Sequence, residues 1–323
     1  MSIEFTADDE AGLSAAHTAK GRLQRALLER LRVHEREGTL PTSGRFLFYE
    51  LVQAGVVSKS APLPVARTAS TGRRRADQNL IDALTHLREV GAIPWDWIVD
   101  ETRSLHTFKT AASVAAYVAD AADRASLDRW DGEPAPLILC ESRSLAGVLY
   151  DLAATYAAPI AATNGQARGF LVSEVAPTLQ VGQRVLYFGD WDHCGHQIES
   201  ASRATLVEHA PMWGTLYRAT EMARRPRRRR HSSIESLWER VALTDGQVEE
   251  LGPDVVIRKR DRRYSGERYF DAVETEAFGQ ANIVAALRAR LDELMPEPLD
   301  DVLERQDRQR EQVAEQLRGM TDS

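Results

Sequence analysis

Cysteine is nearly absent from this chain of 323 residues: only Cys140 and Cys194 occur, too few for a disulfide framework. No stretch approaches the roughly 18–20 apolar residues that a membrane span needs. The first thirty residues hold no apolar segment of the kind that marks a secretory signal. Together these absences predict a cytoplasmic protein with no membrane contact. A GxxxxGK[ST] phosphate loop is also missing, so no ATP site is expected. Lysine is scarce too, with four residues against thirty-seven arginines among the 41 basic side chains. The net charge of −7 argues against indiscriminate binding of polyanions, although affinity for phosphate is set by local clusters rather than by the total. Such clusters exist at Arg73, Arg74 and Arg75, at Arg224–Arg230, and at Arg258, Lys259 and Arg260.

The N-terminal third has helical periodicity. Leu23, Leu27 and Leu31 recur every four residues with Leu28 beside them, predicting a helix from Gly21 to about Glu37 that ends at Gly38. Thr42 or Ser43 is placed to cap a second helix carrying Phe46, Phe48, Leu51 and Val52. A third helix sets Leu80, Ile81, Leu84, Leu87 and Val90 on one face, and residues 93–100 read as a short β segment. Three helices and a β segment follow the order of a winged helix-turn-helix. Residues 107–126 read as an alanine-rich helix, and 128–136 as a linker rich in proline, glycine and charge.

Beyond that linker the pattern becomes α/β. Apolar strands are expected at 137–140, 159–163 and 184–188, alternating with helices, and a further strand at 255–257; this predicts a parallel, Rossmann-like sheet. In such sheets ligands gather beyond the carboxyl ends of the strands. Glu141 stands at one of those ends, and Asp190 and Asp192 at another, after Gly189. Two or three carboxylates at this edge suit Mg²⁺, a hard cation that takes oxygen ligands. His193, Cys194 and His196 are spaced too closely for a structural zinc site. The expected organisation is a flexible N-terminus (1–20), a winged-helix domain (21–127), the α/β domain (128–296) with a basic loop at 223–235, and a charged C-terminal helix (297–323).

The segments ESRSLAGVL, AATNG, VLYFGDWDHCGHQIE and VETEAF, in that order, resemble the Toprim domain of the topoisomerase VI A subunit and its meiotic double-strand-break relatives. The resemblance implies Mg²⁺, with Mn²⁺ as a substitute, held by Glu141, Asp190 and Asp192, with Glu274 and Glu276 as supporting acids. That family joins its Toprim domain to a winged helix bearing a nucleophilic tyrosine in an Arg-x-x-(Tyr/Phe)-Tyr pattern. Here Arg45-Phe46-Leu47-Phe48-Tyr49 is similar, which implies Tyr49 as nucleophile and Arg45 as the stabilising cation. Four residues apart on a helix, the two share a face. His193-Cys194-Gly195 stands where the family usually has Pro-Ser-Gly, and Ser142-Arg143 where lysine often follows the glutamate.

The implied partners are double-stranded DNA, a second copy of the chain that shares the site in a homodimer, and a separate ATPase subunit for any strand passage; nucleoid association follows from these. Three activities compete. The first is transesterification, in which Tyr49 forms a 5′-phosphotyrosine link. The second is a Toprim nuclease that hydrolyses DNA with metal-activated water in a defence or plasmid-related role. The third is a non-catalytic DNA-binding protein. In any of them, Arg73, Arg74, Arg75, Arg258, Lys259 and Arg260 are the expected DNA contacts.

Overall fold

The computed structural model describes residues 12–58, 78–99, 111–123, 128–165, 167–224, 235–260 and 269–321. Helices α1 (Ala19–Glu37), α2 (Gly44–Gln53) and α3 (Gln78–Glu89) pack around Leu27, Leu28, Leu31, Leu47, Leu51, Leu80, Leu84 and Leu87. Of the two candidate caps for α2 it is Ser43 that serves, its hydroxyl accepting the Phe46 N–H at 3.3 Å. Ser43→Ala removes that acceptor and should lower stability by about 1 kcal/mol in urea denaturation. A loss indistinguishable from zero would mean water replaces the cap. On α3 the buried face is Leu80, Ala83, Leu84 and Leu87, whereas Ile81 and Val90 are exposed. Ile81 lies one position off the stripe, and Val90 falls beyond the last helical residue.

The β segment expected at 93–100 is instead a 3₁₀ turn, Trp95–Trp97, followed by one isolated parallel bridge between Thr42 and Ile98. Cations hold this turn where strand pairing was expected. Arg88 lies over the Trp95 ring at 5.3 Å and donates to the Trp95 and Ile98 carbonyls, while Arg32 lies over Trp97 at 5.5 Å. No wing hairpin occurs among the described residues. Helix α4 (Val114–Asp123) occupies the middle of the expected 107–126 helix. The expected linker at 128–136 contains a core residue: Trp130 is buried, and its Nε1–H donates to the Tyr156 carbonyl at 2.8 Å.

The α/β part is a mixed assembly around a parallel four-stranded sheet in the order β2-β1-β3-β4. Its strands are β1 (Leu137–Cys140), β2 (Ile160–Ala162), β3 (Val185–Phe188) and β4 (Trp238–Ala242). Every residue of β1 and β3 is buried, as continuous apolar strands covered on both faces must be. Helix α5 (Arg143–Thr155) carries the chain from β1 to β2; α6 (His193–His209) and α7 (Pro211–Arg224) follow β3. After β4 come α8 (Asp245–Leu251) and an antiparallel pair, β5 (Ile257–Arg260) with β6 (Tyr269–Ala272). The strand expected at 255–257 therefore begins only at Ile257, because Pro253, which lacks an N–H, starts a 3₁₀ turn through Val255. Helices α9 (Gln280–Leu294) and α10 (Leu299–Thr321) close the chain, and α10 packs along α4. Among the described residues no helix is long and apolar enough to cross a membrane.

Two features of this architecture place the site. First, β2 lies on one side of β1 and β3 on the other, so the strand order reverses between β1 and β3. A crevice opens outside the carboxyl ends at such a switch point. Second, Phe46 of α2 is fully buried in the same core as Ile138, Leu149, Phe188, Ile283 and Leu287, which docks the helical cluster directly onto the sheet.

Candidate functional site

Glu141 leaves β1 and Asp190 leaves β3 at the switch point, where Glu141 Oε2 accepts the Asp190 N–H at 3.1 Å. The chain here is tightly packed. A Cβ on Gly189 would lie 2.6 Å from the Tyr187 ring, and one on Gly195 would lie 2.3 Å from the Asp190 carbonyl oxygen. A side chain at 195 would require the backbone to move, and one at 189 would have to displace the buried Tyr187 ring. Trp191 forms an isolated antiparallel bridge with Val273, and this brings Glu274, Thr275 and Glu276 beside Asp190.

The two aspartates divide their oxygens. Asp190 Oδ1 accepts from the Thr275 N–H at 2.9 Å and its hydroxyl at 3.0 Å. Asp192 Oδ1 accepts the Gly195 N–H at 2.7 Å and caps α6. The second oxygens face cations: Asp192 Oδ2 pairs with Lys259 Nζ at 2.8 Å, and Asp190 Oδ2 lies 3.9 Å from Arg45. Arg45 also bridges Glu274 Oε2 at 2.7 Å and Glu276 Oε1 at 2.9 Å, while Lys259 reaches Glu274 Oε1 at 3.3 Å. Tyr49, 8% exposed, hydrogen-bonds Glu274 through its phenol. Arg45 and Tyr49 thus meet the acids within a single chain, so their contact does not depend on a second protomer.

Five carboxylates against two cations leave the cluster strongly acidic. Burial, then the charge of Asp190, pushes Glu141 up to about 7; burial and Asp190 push Glu276 to about 7 despite the opposing Arg45. Asp192 stays below its ordinary range because the Lys259 and Gly195 hydrogen bonds outweigh its burial. Lys259 is pushed up to about 12 by Asp192 and Glu274, against its own burial. Burial and the negative Glu274 drive the Tyr49 phenol far above its usual value.

Because Glu141 and Glu276 titrate higher in the folded chain than in the unfolded one, their stabilising contribution is fully present below about pH 4.5. It is lost as pH rises through about 7. In EDTA the free energy of unfolding should therefore fall between about pH 5 and about pH 8, by on the order of 3 kcal/mol from Glu141 alone, with Glu276 adding in the same direction. A flat profile over that window would show that neither carboxyl is held up.

The donor set fits a hard divalent cation. Glu276, 1% exposed, has an Oε2 with no hydrogen-bond partner among the described residues, and all the acids supply oxygen. No three of these groups converge as a preformed cage among the described residues; Arg45 and Lys259 stand between them.

Comparison with protein-family models, with curated proteins and with solved structures returns no match.

The expected acids and Arg45 and Tyr49 are all brought together. Lys259, expected at DNA, is instead directed into the acid cluster. Arg258 is exposed, 5.9 Å from the Tyr269 ring and 3.9 Å from Asp271; Arg260 ends β5. Arg73, Arg74 and Arg75 lie outside the described residues, as does the basic run after Arg224. Sequence reasoning missed Thr275 and the support beneath Asp190. There Arg240 of β4 donates to the Gly189, Asp190 and Leu243 carbonyls and pairs with Glu199 at 2.8 Å. The charged pair Glu239-Arg240 between Trp238 and Val241 was the available signal.

Proposed function

We propose that this chain cleaves DNA in a divalent-metal-dependent reaction, with Tyr49 as the nucleophile. One observation carries the reading: Arg45 and Tyr49, on one face of α2, reach the carboxylates that collect at the β1/β3 switch point, and the Tyr49 phenol is bonded to Glu274. On this reading α1–α3 correspond to the three helices of a winged-helix module, without its wing among the described residues, and the sheet is a Toprim domain. The strand order, with Glu141 after β1 and Asp190 after β3, supports that assignment.

The chemistry follows from the side chains. Tyr49 Oη passes its proton to Glu274 and attacks phosphorus; the bond from phosphorus to the 3′-oxygen breaks. Glu141, half-protonated near neutrality, supplies the proton to that oxygen, leaving a 5′-phosphotyrosine and a 3′-hydroxyl. Arg45 turns from Glu276 to the phosphoryl oxygens. Asp190 and Asp192 would hold Mg²⁺, which supplies further neutralisation of charge on those oxygens when bound.

A second reading rests on the phenol being held so firmly protonated: hydrolysis, with Glu141 acting on water and Tyr49 serving only to pack. Incubating supercoiled plasmid with Mn²⁺ and stopping with SDS separates the two. Protein linked to 5′ ends supports transesterification, and free ends support hydrolysis.

A further inference from the structure

Lys259 stands out because its ammonium occupies the oxygens a metal ion would need. Nζ lies 2.8 Å from Asp192 Oδ2 and 3.3 Å from Glu274 Oε1, and the side chain is about one-third exposed. Asp192 Oδ1 already accepts the Gly195 N–H, so Lys259 sits on its other oxygen. A divalent cation on Asp192 Oδ2 would sit roughly 2.0–2.1 Å from it. A second cation on the same oxygen would repel the ammonium, so the two compete for Asp192. In the same cluster the buried Glu276 has an Oε2 with no hydrogen-bond partner among the described residues, an acceptor a divalent cation could use.

We infer that Lys259 is a displaceable counter-cation: it holds Asp192 and Glu274 when no metal is present, competes with the divalent cation for them, and on displacement becomes a contact for a phosphodiester. This rests on the reading of the cluster as a divalent-cation site. Arg258, the neighbouring residue on β5, projects from the opposite face of the strand, so the new phosphodiester contact is Lys259 itself, available only after metal enters. By linkage, metal and phosphodiester then strengthen each other's binding.

The test uses the full chain and Mn²⁺, without DNA. Isothermal titration should show Lys259→Met and Lys259→Gln binding Mn²⁺ about tenfold more tightly than the native chain, the scale of one lost partly buried ion pair. The glutamine variant retains a hydrogen-bond donor toward Asp192 and so protects the fold. Carbon-13 lysine spectroscopy needs no substitution: with only four lysines, the Lys259 ε-carbon resonance should move when Mg²⁺ is added to the native chain. Native binding with equal or weaker affinity in both variants, or an unmoved resonance, overturns the inference and leaves the metal site standing. Failure of every chain to bind Mn²⁺ overturns both.

Discussion

Tyr49→Phe is expected to abolish protein-linked DNA ends in SDS-stopped plasmid incubations, a loss on the order of a thousandfold or more. The effect is large because the phenol oxygen is the only atom removed, and it is the atom that forms the covalent bond. The ring stays. Its edge contact with Phe48, with centroids 5.5 Å apart and planes at 84°, needs no hydroxyl, nor does its packing in the helical core. The lost hydrogen bond to the Glu274 carboxylate costs about 1.5–3 kcal/mol, and Arg45 and Lys259 still hold that carboxylate, so the variant should fold and bind Mn²⁺ like the native chain. Cleavage at the native rate with free ends would transfer the reaction to Glu141 and water, and Glu141→Ala would then be the inactive variant.

Phe46→Ala should be the most destabilising single change at the junction of helices and sheet, by about 3–5 kcal/mol. Phe46 is fully buried among Ile138, Leu145, Leu149, Phe188 and Leu287, so truncation leaves a cavity between α2 and the sheet. Set against the 5–15 kcal/mol typical of a folded domain, such a loss is substantial. The urea midpoint should drop with an unchanged slope. The same ring seats the first turn of α2, where Arg45 leaves for the acids, so cleavage should fall further than stability alone accounts for. Gln53 donating to the Ala277 carbonyl at 2.8 Å, and Gln280 donating to Pro41 at 3.0 Å, remain as secondary ties. A loss below about 1 kcal/mol would show that these ties, not Phe46, dock the helices.

Much of this fold is written locally. The leucine period of α1 and the unbroken apolar runs of β1 and β3 announce themselves because each depends on neighbours within a few residues. The turn at Trp95–Trp97 escaped for the opposite reason: its alternating pattern is that of a strand, but its partners are Arg32 and Arg88 on two other helices. Residues 128–136 are irregular, as their composition predicts, yet they are tied into the core. Their composition suits a linker, while Trp130 finds its acceptor twenty-six residues away at Tyr156.

For the site, the sequence by itself determined which carboxylates stand at strand ends and that Arg45 and Tyr49 share a helical face, since strand ends and helix pitch are local properties. Only the tertiary structure decided that these two sets meet. The bridge from Trp191 to Val273 carries Glu274 and Glu276 to Asp190, and the burial of Phe46 carries Arg45 to all three. Tertiary structure also turned Lys259 from an expected DNA contact into a partner of Asp192. The physical reason is common to all of these. A charge takes its role from the charges and the solvent around it, and those are assembled from segments far apart in the chain.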